Sequence, residues 1–282
     1  MFGNQADLHI HSRKSDGSSG IETILNCAAK IGLKNLAITD HDTLAGISEA
    51  KKLGEKLGIN VIEGVELSAK NPQNNRRVHI LCYLPKNPEF LEEYFQNLSA
   101  KRQKAAEIML EKLLKIYPVD INEIEKYASE SSAIFKVHIM QALIDLGYDN
   151  KIYGELYKEL FSRNSPKNIA QSVDYPSVDY ALDCVKKARG VAVLAHPSVY
   201  DSMDLLEVLA KEHKIDGVEV FHPKNKADEQ IKMLEIAEKY GLFVTGGTDF
   251  HGFFSSEKPN PLGTCTTNQE NLSKLYQVSK NL

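Results

Sequence analysis

The amino-acid sequence predicts an α/β fold: a closed or nearly closed barrel of seven β/α units, interrupted by a helical insertion. Three observations carry this reading. Short apolar, β-branched runs recur at residues 6–10, 34–39, 59–65, 77–83, 190–195, 216–221 and 242–246. Between most of them lie amphipathic segments that end on glycine. The alternation breaks between residues 99 and 172, where the apolar positions follow a helical period.

Taken in order, the run at 6–10 opens the sheet, and segment 21–31 closes on Gly32 before the second run begins. Segment 44–57 closes on Gly58 before the third run, and 226–240 closes on Gly241 before the seventh. Glycine directly after the last periodic residue is a helix C-cap signal, because it adopts a positive φ without Cβ strain. Strands alternating with helices argue for a parallel sheet with helices outside it. Seven strands in one domain suggest a barrel. Inside the break, Ile108, Leu110, Leu113 and Leu114 form one apolar stripe. Ile139, Leu143 and Leu146 form another, stopped by Gly147. Asp120, with Glu123 three residues later, reads as a capping box. Pro176 then restarts a barrel helix at its first position. The expected organisation is a barrel built from residues 1–98 and 173–282, with 99–172 as a helical insertion over the substrate.

Composition narrows the function. The 282 residues can bury one large core, or one core and a small second lobe. With 34 Lys+Arg against 38 Asp+Glu, the formal charge of -4 gives no general basic footprint for gripping long nucleic acid. Bound divalent ions would still make a site electropositive, so an anionic substrate fits. Cys27, Cys82, Cys184 and Cys265 form no Cys-x-x-Cys pair and read as reduced residues of an intracellular protein. The N-terminal segment has no signal-peptide character, and no apolar run approaches membrane-spanning length. The expected location is cytoplasmic, without a membrane partner.

The chemistry lies in the histidines. Six of the nine, His9, His11, His41, His79, His196 and His251, sit where an apolar run gives way to polar residues, most beside a carboxylate. Imidazole and carboxylate are ligands of choice for Zn, Fe or Mn. Residues i and i+2 of a strand point to one side, so His9 and His11 can reach one ion. Asp249 and His251 repeat that spacing after the last run. His41 ends the second run, Glu66 follows the third and His196 ends the fifth, while His79 lies within the fourth and is read as pointing inward. Repetition at strand ends, where β/α barrels place their chemistry, indicates a multinuclear metal site at the barrel mouth.

Five segments carry a family resemblance: Asp-Leu-His-Ile-His-Ser-Arg-Lys-Ser-Asp-Gly (7–17), Leu-Ala-Ile-Thr-Asp-His-Asp (36–42), Gly-Val-Glu-Leu-Ser (64–68), Ala-Val-Leu-Ala-His-Pro (192–197) and Gly-Gly-Thr-Asp-Phe-His-Gly (246–252). Together they resemble the motifs of the PHP (polymerase and histidinol phosphatase) family. The order and the helical insertion are similar to its subgroup of nucleoside 3′,5′-bisphosphate phosphatases and a related 5′-to-3′ exoribonuclease. The resemblance implies a distorted seven-stranded β/α barrel with two or three divalent ions, Mn first, with Fe or Zn as alternatives. Carried over motif by motif, His9, His11, Glu66 and Asp249 would hold one ion. Glu66, His79 and His196 would hold a second, with Glu66 bridging. Asp16, His41 and His251 would hold a third, and some relatives have His where this chain has Asp16. Asp40 is expected either to orient His41 or to cap the following helix.

Other groups are candidates for substrate contact. Arg13 follows the His pair and could clamp a phosphate bidentately. Arg102, Lys136 and His138 in the insertion could hold a second phosphate or a base, although Lys136-Val137-His138 replaces the Arg-Pro-His of related phosphatases. His222 ends the sixth run and could contact the leaving oxygen, and Glu219 is read as site-facing. Tyr127, Tyr148, Tyr153 and Tyr157 are read as packing residues, one of which could stack on a base.

The implied function is hydrolysis of the 3′-phosphate of a nucleoside 3′,5′-bisphosphate, a metal-bridging hydroxide attacking phosphorus in line. Glu66, Arg13 and His222 would be the catalytic groups. The rivals are a 5′-to-3′ exoribonuclease on short 5′-phosphorylated RNA, a histidinol phosphatase and a non-catalytic scaffold. The expected partner is a small nucleotide or short oligonucleotide, and the oligomeric state is left open.

Overall fold

In the computed structural model the described residues are 5–255 and 259–282; the first four residues of the N-terminal segment lie outside them. Seven strands form one sheet in chain order: β1 Ala6–Asp7, β2 Asn35–Ile38, β3 Asn60–Lys70, β4 Arg77–Tyr83, β5 Val191–Leu194, β6 Gly217–Phe221 and β7 Phe243–Gly246. Its two edges meet. Leu8 N–H donates to Gly246 O at 3.2 Å and Ile10 bridges Phe250 in parallel, so the sheet curls into a nearly closed barrel.

Helices α1 (Ile21–Ile31) and α2 (Ile47–Leu57) follow β1 and β2, and α3 (Glu89–Leu114), α4 (Ile121–Ala128), α5 (Lys136–Asp145) and α6 (Glu155–Phe161) follow β4. The chain continues through α7 (Val178–Lys187), α8 (Met203–Lys211), α9 (Ala227–Tyr240) and α10 (Gln269–Asn281). Gly32, Gly58 and Gly241 end α1, α2 and α9 in the left-handed conformation. Among the described residues no helix is long and apolar enough to cross a membrane.

The sheet is not parallel throughout. β4 runs antiparallel to both β3 and β5. The connection explains it: only the six residues 71–76 separate β3 from β4. A hairpin needs no more, whereas a parallel crossover requires a dozen or more residues. The hairpin also lengthens β3, which pairs with β4 out to Lys70, so Glu66 lies inside the strand and not after it.

Two local readings change as well. Asp120 caps α4 through Asn122 N–H, but Glu123 does not complete a box and pairs instead with Lys126. Ser177 caps α7, which leaves Pro176 outside the helix.

α3 serves two cores. Leu91, Tyr94, Phe95 and Leu98 pack on the barrel with α7, while Ala106, Met109, Leu110 and Leu113 pack with α4, α5 and α6. One continuous helix therefore ties the insertion to the strands that carry the site.

Candidate metal centre

The polar ends of the strands converge. His9 and His11 follow β1, His41 follows β2, His196 follows β5, and Asp249 and His251 follow β7. His79 stands near the start of β4, and because that strand is reversed its start lies at the same mouth; Ser68 of β3 is its register partner. Each of the nine expected ligands has a donor atom within 3.4 Å of a donor on another.

Glu66 is the hub. Its Oε1 lies 2.7 Å from His79 Nδ1 and 2.9 Å from His196 Nε2. Its Oε2 lies 3.1 Å from His41 Nδ1, 3.2 Å from His11 Nε2 and 3.3 Å from His9 Nε2. Asp249 Oδ1 stands 3.4 Å from His11 Nε2 and 3.6 Å from His9 Nε2. Asp16 reaches His251 at 3.2 Å, His11 at 3.6 Å and His41 at 3.8 Å.

This donor set fits cations. His9 Nε2 and His11 Nε2 face each other at 3.1 Å, and at most one proton can sit between them. Asp16 Oδ1 and His41 Nδ1 are buried without a well-formed hydrogen bond among the described residues, although an opposite group stands near each. Four clusters of three or four donors fall within 4.8 Å: His9–His11–Asp249, His9–Glu66–His196, His41–Glu66–His79 and His11–Asp16–His41–His251. Three site residues hold backbones unusual for side chains with a Cβ: Asp42 at φ 54°, His196 at 25° and Asp249 at 49°. Such strain persists where the surroundings over-determine the geometry.

Supporting groups fix the ligands. Glu219 Oε1 lies 2.9 Å from His9 Nδ1, which leaves Nε2 for the cluster, and its Oε2 accepts His196 N–H at 3.0 Å. Asp7 accepts from Thr248 N–H and Oγ–H and from Gly263 N–H, fastening the β1 end to the β7 loop. Asp40 neither orients His41 nor caps a helix. It accepts Ser12 N–H at 2.7 Å and the hydroxyls of Ser12 and Ser15 at 2.6 Å, which holds the loop after His11.

The charges are tuned by each other. Burial would raise Glu66, yet His79, His9 and His41 hold it well below the carboxylate range. Burial would lower His11, yet hydrogen bonds to Asp249 and Glu66 push it up to about 10. In the metal-free chain His11 is thus protonated at neutral pH, and a cation must displace that proton. Metal affinity should therefore rise with pH towards 10 and weaken below it. Calorimetric titration with Mn²⁺ in buffers of different ionisation heat should show proton release, and a pH-independent affinity without release would contradict this.

The substrate contacts are rearranged relative to expectation. A cavity of about 250 Å³ opens beside the cluster, lined by Asp16, His41, Glu66, His79, Asp249 and His251 among others. Lys136 lines it and Arg102 does too, but Arg102 is committed to Asp42 and Ser68. Arg13 does not line it. It is exposed, donates Nε–H to Ser18 O and faces an adjoining groove of about 1270 Å³, because the loop tied by Asp40 turns it outward. His138 is buried, and its Nδ1 accepts Phe135 N–H at the start of α5, so it serves the helix end and not the cavity wall. His222 lies behind Asp249, its Nε2 3.3 Å from Oδ2, and does not reach the cavity.

Sequence reasoning missed Arg77 and Tyr200, both on the cavity wall. Arg77 lies 5.2 Å from the Tyr175 centroid, and Tyr200 packs edge-on to His79 at 5.0 Å. Arg77 is two residues from His79, so strand periodicity could have placed it on the same face. Of the four insertion tyrosines, Tyr153 and Tyr157 also line the cavity.

Comparisons with known proteins agree with this geometry. The PHP domain family model matches residues 7–173. A phosphoribosyl 1,2-cyclic phosphate 1,2-diphosphodiesterase of Eggerthella lenta is 36% identical over 88% of this chain and 94% of its own. The 5′-3′ exoribonuclease Rnm of Escherichia coli is 27% identical over 87% and 84%. A 3′,5′-nucleoside bisphosphate phosphatase of Chromobacterium violaceum is 26% identical over 87% and 86%. Among solved structures, a chain assigned as a metal-dependent phosphoesterase from Bifidobacterium adolescentis superposes with a TM-score of 0.87 at 29% identity, covering 97% of this chain and 96% of that one.

Proposed function

The chain belongs to the PHP domain family and is a metal-dependent phosphoesterase, and from that premise we propose that it cleaves one phosphate ester of a small ribose compound that carries a second phosphate. The observation that carries this is a pair of cations on the wall of the cavity beside the cluster. Arg77 and Lys136 line the same cavity, and among the described residues neither has a carboxylate partner. Tyr175 flanks Arg77, and Lys136 Nζ lies 4.9 Å from the Phe161 ring centroid. A cation at a pocket wall without a counter-charge is suited to an anion.

His9, His11, Glu66 and Asp249 would hold one ion, Glu66, His79 and His196 a second, and Asp16, His41 and His251 a third. Bound ions would bring the pKa of water towards neutrality and offset charge on the phosphoryl oxygens. Mn, Fe and Zn all suit such mixed ligands. The residues do the rest. Glu219 holds Nδ1 of His9 and so turns its Nε2 toward the cluster, Arg77 and Lys136 anchor the second phosphate, and α3, α5 and α6 roof the cavity as a substrate cap.

Two compounds fit this description. One is the nucleoside 3′,5′-bisphosphate read from the sequence. The other is a phosphoribosyl 1,2-cyclic phosphate, which the higher identity to the Eggerthella lenta relative favours. A turnover panel on metal-analysed protein decides between them, with a 5′-phosphorylated oligoribonucleotide as third arm. Lys136→Ala and Arg77→Ala should each raise KM for the preferred compound roughly tenfold or more, as expected for a lost charged hydrogen bond, while hydrolysis of an aryl phosphate stays nearly intact. Equal losses on both substrates would contradict the anchor. Efficiency that climbs with RNA length and falls steeply with salt would favour the exoribonuclease.

A further inference from the structure

Arg102 is held more tightly than a substrate contact requires. Its Nη2 donates to Asp42 Oδ2 and to Ser68 Oγ, both at 2.8 Å. The guanidinium lies 4.8 Å from the centroid of Phe135 and 5.4 Å from that of Tyr175. Phe135 in turn stacks on His41, with centroids 6.2 Å apart and planes 20° from parallel. Asp42 follows His41 directly and closes the circuit. Its Oδ1 accepts Ser68 N–H at 2.8 Å, and its own N–H donates to Glu66 O at 3.0 Å.

The two sides of this network belong to different parts of the chain. Arg102 is on α3 and Phe135 precedes α5, whereas His41, Asp42, Glu66 and Ser68 belong to the β2 end and β3. Resting on the reading of His41 as a metal ligand, we infer that Arg102 and Phe135 are positioning residues through which the helical insertion sets His41 for its ion. Retention of the third ion then depends on the insertion.

Four physical points support it. Asp42 sits at a positive φ that a residue with a Cβ rarely adopts, and its side-chain bonds join the backbone bridge to Glu66 in holding the His41–Asp42 segment. Asp42 is buried, and without Arg102 its carboxylate would lose its counter-charge. An unpaired guanidinium on this wall would oppose a nearby divalent ion, and Asp42 neutralises it. Phe135 adds the face against which the His41 ring rests. Among the described residues the buried Nε of Arg102 has no hydrogen-bond partner, which keeps direct substrate contact open as the rival role.

The test loads wild type, Arg102→Ala and Phe135→Leu with Mn²⁺, desalts them, counts ions by elemental analysis and measures kcat and KM on p-nitrophenyl phosphate. Wild type should keep its full complement. Both variants should lose one ion per chain, with affinity at the weakest site and kcat falling at least about tenfold, the effect typical of a group that orients a metal ligand. KM should change little. Arg102→Ala with all its ions, an unchanged kcat and a raised KM would overturn the inference in favour of substrate contact. If Arg102→Ala does not fold, Phe135→Leu, which leaves every charged pair in place, decides by the same readouts. Wild type that holds no Mn²⁺ overturns the metal reading and this inference with it. Wild type that holds ions, matched by both variants, overturns this inference alone.

Discussion

Glu66→Gln should abolish turnover on every phosphate ester and remove at least one metal ion per chain. Five imidazoles, those of His9, His11, His41, His79 and His196, converge on this one buried carboxylate between 2.7 and 3.3 Å. Gln keeps the shape but removes the charge, and it turns an N–H donor towards nitrogens that would themselves be needed as acceptors. A single electrostatic group at a reacting centre is worth about 10²–10³ in rate, and Glu66 would serve two ions, so the loss should reach at least that range. Elemental analysis and aryl phosphate turnover measure the two effects, with circular dichroism confirming that the isosteric variant is folded. A variant with wild-type metal content and rate would remove Glu66, and with it the bridging arrangement, from the centre.

Most of the proposed ligands were legible because they stand at boundaries in the sequence pattern. A His or carboxylate at the end of an apolar run has little reason to be there except a shared point at the mouth. His79 shows where this fails. It lies inside its run, and it reaches the mouth because the 71–76 hairpin reverses β4. That reversal was itself readable from the six-residue connection, yet the alternation of strands and helices elsewhere outweighed it. Arg77 was lost for the same reason. Contacts within the insertion were less legible, since period places a residue on a helix face but not against a partner. Arg102 and His138 both fall on helices of the insertion; a tertiary partner gives the first to Asp42, and a local bond at the start of α5 gives the second to the Phe135 amide. Arg13 was misread because its direction is set by Asp40, twenty-seven residues away in sequence, through Ser12 and Ser15.

Gly247→Ala should lower activity by about a hundredfold or more, through sterics alone. Gly247 lies where the β7 end passes the β1 end, and a Cβ there would meet His9 Cβ at 2.3 Å, His9 N at 2.5 Å and His9 Cα at 2.9 Å. Backbone atoms cannot rotate away, so the two chain segments must separate. The hydrogen bonds across this seam, Phe250 N–H to His9 O at 3.3 Å and His11 N–H to Phe250 O at 2.9 Å, would lengthen with it. His9 and His11 sit on one side of the seam and Asp249 and His251 on the other, so opening it pulls apart donors that must share an ion. Overpacking of this kind costs about 1–3 kcal/mol, which for a chain of this size lowers Tm by roughly 2–4 °C per kcal/mol. The rate suffers more than the stability, because a displacement near 1 Å at a reacting centre can cost about 10². Gly58→Ala is the control. That glycine has a positive φ, 65°, which Gly247 does not share, but a Cβ there meets nothing within 4 Å. It should lose stability of a similar order while retaining metal content and turnover. If Gly247→Ala instead keeps wild-type activity with only a lowered Tm, the β1–β7 seam closes the barrel without setting the distances between its ligands.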